Sequence, residues 1–341
     1  MPACARKPRR NLERAAPKTP ATGRFKAALR YLPVCLLGLV LWREKPWTVH
    51  LAANAPWAVA AAILLNLSVS LPLKAARWRL ALIDPPPFRQ VLAATVEGLL
   101  ANAAIGFGSG DLVRAARLRS SEPLPKSKSD DQSSERQLLS SQLAIDYGCT
   151  WAERGAEALA LAILVFVAAL FTKLGSVALG ISVAAMLGYG ALLTTGRFLV
   201  PRLGRWPRIQ RALSSGLQAS TPRRVIAMAA LSLLGWSSES VMLVLFQGAF
   251  HLEPSFRTAL VTLVGINAAI AIPTLPGNFG TFEAGVTMAL VMCGAPRDVA
   301  VSYALTFHLT HVIPVAILAT GVYLYRSRRY RTTPARTSTG R

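Results

Sequence analysis

Ionisable side chains inside apolar stretches are the residues of this sequence best suited to chemistry. They are Asp111, Arg114, Glu153, Arg154, Glu239 and Glu283. In a lipid bilayer each such group costs on the order of 2.5 to 3.5 kcal/mol, so it should face a protein interior or a hydrated cavity. Carboxylates in a cavity can bind cations, and an arginine fork can grip a phosphate. These residues are therefore candidate ligand contacts.

Glu283 follows the clearest interruption of an apolar helix pattern. Residues 263–293 begin and end as apolar helix, and prolines and glycines break the middle at Pro273, Pro276, Gly277 and Gly280. Proline lacks an amide donor and clashes with the preceding turn, so a continuous helix is not expected here. Inside a bilayer, neighbouring protein or water must satisfy the freed backbone groups. The pattern predicts a cavity-lining segment in which Glu283 locks the turn or binds a cationic group.

A second interrupted segment lies early in the chain. Residues 102–111 read NAAIGFGSGD, and residues 267–283 read NAAIAIPTLPGNFGTFE. Asn102 matches Asn267, and Asp111 takes the place of Glu283. Chance is the alternative explanation in an alanine-rich chain, but paired interruptions in two halves of a membrane protein indicate a transport site between repeats. We predict two re-entrant elements, with an inverted repeat as one arrangement.

The composition is typical of an all-α polytopic membrane protein. Hydrophobic residues make up 52% of the 341 and charged residues 16%, with a mean hydropathy of +0.40. The net charge of +22 comes from basic blocks between apolar segments. Such blocks lie on the cytoplasmic side of membranes, so nucleic acid is not expected as a partner.

No cofactor or metal is expected. The four cysteines show no paired spacing that would indicate a disulfide or zinc framework. The glycine-rich residues 106–110 lack the Lys-Ser/Thr that follows in a nucleotide-binding loop. His308 and His311 lie three residues apart and are interpreted as packed, neutral side chains.

We predict about eight transmembrane helices together with the two re-entrant segments. The spans are placed at about 27–42, 55–73, 158–171, 174–195, 225–250, 256–272, 283–293 and 299–325. The basic stretch that begins at Lys74 is expected on the cytoplasmic surface. With both termini cytoplasmic in an inner (plasma) membrane, external turns hold few of the 38 basic residues: Arg43, Lys45, Lys173, Arg257 and Arg297.

Polar and basic segments surround and interrupt the predicted transmembrane domain, 27–325. Residues 1–26 predict a basic, disordered cytoplasmic arm, and residues 326–341 predict a basic cytoplasmic tail. Residues 120–141 are polar and contain proline, which predicts a mobile loop. Residues 196–224 hold seven arginines and no acid, which predicts an interfacial amphipathic segment.

Four motifs resemble a known family. RWRLAL at 77–82, NAAIGFGSGDLVRAARL at 102–118, AER at 152–154 and PGNFGTFEAG at 276–285 occur in the order seen in the lysylphosphatidylglycerol synthase transmembrane region, or flippase-like, family. The resemblance spans about 30–325. The family includes the lipid-flipping half of the multiple peptide resistance factor and relatives linked to hopanoid or glycolipid handling. The resemblance implies a membrane bundle that moves lipid head groups between leaflets.

Two interpretations stay open for several candidate residues. Asp111 and Arg114 contact a head group, or they form a local helix ion pair. Glu153 and Arg154 anchor the re-entrant turn, or Arg154 meets a lipid phosphate. For Glu239, a polar contact between helices is favoured.

The leading functional hypothesis is a lipid translocator acting on membrane lipids. The alternatives are a lipid-linked transferase and a noncatalytic anchor for a separately encoded synthase or glycosyltransferase. Because the chain stops at Arg341, the aminoacyl-transferase domain of the resistance factor is expected to be absent, and enzymatic activity is not favoured. Anionic phospholipid, aminoacylated lipid, polyprenyl-linked sugar and hopanoid all remain open as substrates. Direction, energy source and oligomeric state are open as well.

Overall fold

The protein is all helical over the part of the chain that the structure describes. This computed structural model describes Gly38, Trp42, Arg43 and residues 49–106, 108–119, 132–171, 175–270 and 276–332. No strand occurs among these residues. The predicted arm, most of the first predicted span and the tail beyond residue 332 lie outside them. The predicted class, an all-α membrane protein, is confirmed at this level.

The helices are numbered here in chain order. They are α1 (Ala55–Leu65), α2 (Leu71–Ala81), α3 (Phe88–Ile105), α4 (Ser109–Arg119), α5 (Gln132–Phe171), α6 (Gly175–Leu199), α7 (Pro207–Ala219), α8 (Pro222–Ala249), α9 (Phe256–Ile270), α10 (Thr281–Met292) and α11 (Arg297–Thr332). A π-helical turn, Asn66–Ser70, joins α1 to α2 without a break. Short 3-10 turns, Val200–Arg202 and Pro276–Asn278, precede α7 and α10.

Among the described residues, four helical stretches are long and apolar enough to cross a membrane. They are Ala55–Ala81, Leu179–Arg202, Pro222–Ala249 and Arg297–Tyr325. Helices α9 and α10 are apolar but have only 15 and 12 residues. At 1.5 Å per residue they extend about 22 and 18 Å, less than the ~30 Å hydrocarbon core. The predicted count of eight spans is therefore not confirmed.

The predicted loop 120–141 is wrong in its C-terminal part. Residues 132–141 form the first turns of α5 and are not a loop, while residues 120–131 lie outside the described residues. Helix α7 packs against α5 just beyond this stretch, where Gly148 lies against the backbone of Ala212 and Ser215 Oγ donates to the carbonyl of Ile145 at 2.9 Å.

The amphipathic helix within 196–224 is shorter than predicted. It is α7 alone, and residues 196–199 and 222–224 belong to α6 and α8. The predicted tail also begins as helix, since α11 continues to Thr332.

Two helical hairpins share one construction. In the hairpin α3–α4, a Cβ on Gly98 would lie 2.7 Å from the carbonyl oxygen of Gly110. In the hairpin α9–α10, a Cβ on Gly265 would lie 2.7 Å from the carbonyl oxygen of Gly285. Glycine is required at these positions because the two backbones touch. Each hairpin is thus a closely packed pair of helices around an interruption.

Each hairpin packs into its own apolar cluster. The α9–α10 hairpin contributes Leu263 and Val286 to a cluster with aromatic side chains of α8 and α11. The α3–α4 hairpin contributes Val91 and Leu118 to a cluster around Trp78 of α2. The helices outside the hairpins therefore fix the position of each one separately.

Candidate functional site

A cavity of about 270 Å³ lies where the two hairpins meet. Its wall includes both matched asparagines, Asn102 of α3 and Asn267 of α9. Gly277, in the turn before α10, reaches the other hairpin, since a Cβ there would lie 3.2 Å from the carbonyl oxygen of Ala103. The two interrupted segments are thus neighbours in space and form adjacent walls of one cavity.

One face of the α1–α2 rod supplies polar side chains to the cavity. Asn66, Ser70, Lys74 and Arg77 all line it, at the three- to four-residue spacing of one helix face. Asn66 and Ser70 are the ends of the π-helical turn, and π turns are frequent at functional sites. Both are buried, and neither Asn66 Nδ2 nor Ser70 Oγ has a hydrogen-bond partner in the described part of the chain. Asn66 and Ser70 were not among the site residues predicted from the sequence, although polar residues four apart inside an apolar span indicate a polar helix face.

The expectation that the stretch from Lys74 lies on the surface is wrong for Arg77. Helix α2 continues to Ala81, and Arg77 is only 5% exposed. Its Nη1 donates to Ser232 Oγ at 3.0 Å. Carboxylates from α5 supply the opposite charge that offsets the cost of removing the Arg77 guanidinium from water.

Three arginines and three carboxylates form a closed ring of ion pairs beside the cavity. The pairs are Arg77–Glu153 at 3.0 Å, Glu153–Arg114 at 2.5 Å, Arg114–Asp111 at 3.1 Å, Asp111–Arg154 at 3.0 Å, Arg154–Glu157 at 2.8 Å and Glu157–Arg77 at 2.9 Å. This ion-pair ring joins α2, α4 and α5. Because its charges balance, the ring is neutral, and the mutual attraction offsets the desolvation of its buried members.

The ring accounts for four of the predicted contact residues. Asp111 and Arg114 form the local helix pair, and Arg114 also lies over the ring of Trp78, 4.6 Å from its centroid. Arg154 donates to Asp111 from both Nε and Nη2, at 3.3 and 3.0 Å. Glu153 and Arg154 thereby anchor the start of α4. A direct contact of any of them with substrate stays a prediction.

Glu283 locks the turn that precedes α10. Its Oε2 accepts a hydrogen bond from the Gly280 N–H at 2.7 Å, and its Oε1 lies 2.7 Å from Nδ1 of His308. Gly280 has a φ of 88°, a conformation that favours glycine, and caps the helix. Asp111 occupies the same third helical position, after Gly108 with a φ of 72°. The two matched acids therefore stand at equivalent places in the two hairpins.

Glu239 pairs with the other histidine of α11. The Nε2 atom of His311 lies 2.8 Å from Glu239 Oε1, so the predicted contact between helices is present. Ser237 and Ser240 donate to carbonyls one turn earlier in their own helix. Both His308 and His311 line the cavity. The sequence interpretation of these histidines missed their carboxylate partners, which come from other helices.

Lys74 is a cation of a different kind. It lines the cavity but, among the described residues, takes part in no hydrogen bond or ion pair. Its interaction with the carboxylates of Glu157 and Glu239 is electrostatic, without a hydrogen bond.

The remaining predicted residues shape the turn or the wall. Gly277 has a φ of 67°, and Pro276 begins the 3-10 turn. The Nδ2 atom of Asn267 donates to the Leu263 carbonyl at 2.8 Å. Pro273 lies outside the described residues. Within the described part of the chain, no group of three or more His, Cys, Asp or Glu could hold a metal ion.

Comparison with known proteins identifies the family. A model of the family described as Lysylphosphatidylglycerol synthase TM region matches residues 28–319. Neither a comparison with curated proteins nor one with solved structures found a match. The family match covers most of the chain, including both hairpins, the ion-pair ring and the cavity. The chain therefore belongs to the lysylphosphatidylglycerol synthase transmembrane region family.

Proposed function

We propose that this protein is a lipid translocator. A lipid head group passes through the cavity between the two hairpins while its acyl chains stay among the membrane lipids. The observation that carries the proposal is that both interrupted segments, with Asn102 and Asn267, line one cavity. Interrupted helices in the two halves of a transporter typically enclose its substrate site.

Helix length supports a re-entrant arrangement of the hairpins. Neither α9 nor α10 is long enough to cross the hydrocarbon core, and the two pack against each other at Gly265 and Gly285. We infer that this hairpin enters from the external side and that α3–α4 enters from the cytoplasmic side. Their interruptions then meet at membrane depth, as in an inverted repeat.

The chemistry of the cavity wall suits a polar head group. A polar group moved into hydrocarbon without hydrogen-bond partners costs several kcal/mol, which is the barrier that a translocator must lower. The wall offers the amides of Asn66, Asn102 and Asn267 and the ammonium of Lys74. A head group in the cavity would exchange water for these partners.

A leaflet-resolved assay tests the proposal. The purified protein is placed in liposomes that contain fluorescent lipids, and a membrane-impermeant quencher reports how fast each lipid leaves the inner leaflet. Gly235 lines the cavity, and a Cβ there would meet nothing within 4 Å. Gly235→Leu therefore fills the cavity without a backbone clash.

The matched control is Gly188→Leu. Gly188 is exposed on α6, outside the cavity, and its added Cβ would also meet nothing within 4 Å. We expect Gly235→Leu to slow translocation by about tenfold, equivalent to about 1.4 kcal/mol of barrier, and Gly188→Leu to match the wild type. The proposal fails if wild-type liposomes move no lipid faster than protein-free ones, or if both variants behave alike.

A further inference from the structure

We infer that the cavity selects a lipid with an anionic, phosphate-bearing head group that carries no ammonium, and that Lys74 is its charge partner. This inference rests on the proposed function and names the substrate class of the same cavity. It separates anionic phospholipids from aminoacylated ones, whose head groups carry an extra cation.

The carboxylates in and beside the cavity are already engaged. Glu157 pairs with Arg77 and Arg154, and Glu239 pairs with His311. Glu283 accepts from a backbone N–H and contacts His308. No acid in the described wall is therefore free to receive an ammonium group. An aminoacyl head group would have to break one of these pairs.

The charge balance of the wall points the same way. The ion-pair ring is neutral. At membrane depth an uncompensated carboxylate is costly, and the Glu239 and Glu283 carboxylates each lie within 2.8 Å of a histidine nitrogen. The ammonium of Lys74 is the cation of the described wall that has no ion-pair partner. It attracts an anion and repels a cation.

Unpaired donors in the wall require an acceptor. The Nδ2 atom of Asn66, Oγ of Ser70 and Nε1 of Trp236 are buried without hydrogen-bond partners among the residues that the structure describes, and all three residues line the cavity. Amide nitrogen and indole nitrogen donate hydrogen bonds and do not accept them. With Lys74 they form a set of donors whose complement is a group rich in acceptor oxygens. The non-bridging oxygens of a phosphodiester are such a group, and their negative charge strengthens each bond.

The binding test uses the full chain in detergent and native mass spectrometry. The probes are phosphatidylglycerol, lysyl-phosphatidylglycerol and phosphatidylcholine. We expect the wild type to retain phosphatidylglycerol about tenfold better than its lysyl derivative, the size of one charge-assisted hydrogen bond. Lys74→Gln removes this preference, and Lys74→Arg keeps it. The control is Arg79→Gln, at an exposed arginine of the same helix whose Nε donates to the Pro86 carbonyl, outside the cavity.

Each result decides the inference. Equal or better retention of the lysyl derivative by the wild type overturns it, and so does an unchanged preference in Lys74→Gln with unaltered thermal unfolding. Glycerol 3-phosphate forms a separate arm. If it displaces phosphatidylglycerol at equal concentration, the site takes a soluble phosphate, and the lipid assignment is overturned.

The liposome assay separates this inference from the proposed function. Equal translocation of both lipids with no effect of Lys74→Gln would overturn the inference and leave translocation standing. Selective, Lys74-dependent binding without translocation would keep the inference and remove the transport function.

Discussion

Arg77 and Glu153 lie 76 residues apart in the sequence, yet Arg77 Nε donates a hydrogen bond to Glu153 Oε1 at 3.0 Å. Glu153 also contacts Arg114 through its second oxygen. This carboxylate therefore ties the α1–α2 rod to the hairpin α3–α4 through α5. The position of one cavity wall relative to the other depends on that connection.

The ion-pair ring should tolerate the loss of an exposed member better than the loss of a buried one. The Glu153 side chain is 1% exposed and that of Arg154 is 54% exposed. Glu153→Gln leaves two guanidinium groups without their shared anion, so we expect it to lower the free energy of unfolding by about 3 to 5 kcal/mol. Arg154→Gln should cost about 1 kcal/mol or less because water screens its pairs. Thermal unfolding of both variants in detergent measures the difference. Equal losses would refute this account of the ring.

Glu283 should stabilise the protein through two contacts, its hydrogen bond to the turn before α10 and its contact with His308. Glutamine can still accept from the Gly280 N–H, so Glu283→Gln keeps the cap and loses the carboxylate contact with His308. Glu283→Ala loses both contacts, and we expect it to be less stable than Glu283→Gln by about 1 kcal/mol. Glu253→Ala, at an exposed loop residue, is the control. If alanine and glutamine variants unfold at the same temperature, the cap does not stabilise α10.

The close approach inside the hairpins predicts a strong effect of a single methyl group. A Cβ on Gly285 would lie 2.5 Å from the Gly265 carbonyl oxygen and 2.7 Å from Cβ of Ala269. Gly285→Ala should therefore destabilise the protein by about 1 to 3 kcal/mol. Gly188→Ala meets nothing within 4 Å and should stabilise α6 by up to about 1 kcal/mol. Thermal unfolding that ranks these two variants in the reverse order would contradict the packing described here.

Orientation in the membrane can be checked with fusions. The distribution of basic residues predicts that the segment around Lys173 is external and that the arginine-rich segment around Arg205 is cytoplasmic. An alkaline phosphatase fusion after Lys173 should be active, and a fusion after Arg205 should be inactive. The opposite pattern would reverse the sides from which the two hairpins are proposed to enter.

Local features of the site could be predicted from the sequence. Prolines and glycines reveal the two interruptions because they change the backbone in their own segment. The third helical position of Glu283 after Gly280 predicts a turn lock for the same reason. The matched Asn102 and Asn267 do line one cavity, although their pairing rested on four residues.

Partners from distant helices could not be predicted. Arg77 was assigned to the surface because a basic stretch commonly ends a span, and its partners Glu153 and Glu157 come from α5. The histidines of α11 were assigned as simple packing residues because their partners, Glu283 and Glu239, also come from other helices. The start of α5 was placed too late because residues 132–141 are polar, and a polar composition does not distinguish an exposed helix from a loop.

The glycine contacts within each hairpin have a mechanical consequence. Because the two backbones touch, with no side chain between them, neither helix of a hairpin can slide past its mate without a clash. Any movement of a hairpin would therefore carry both of its helices together.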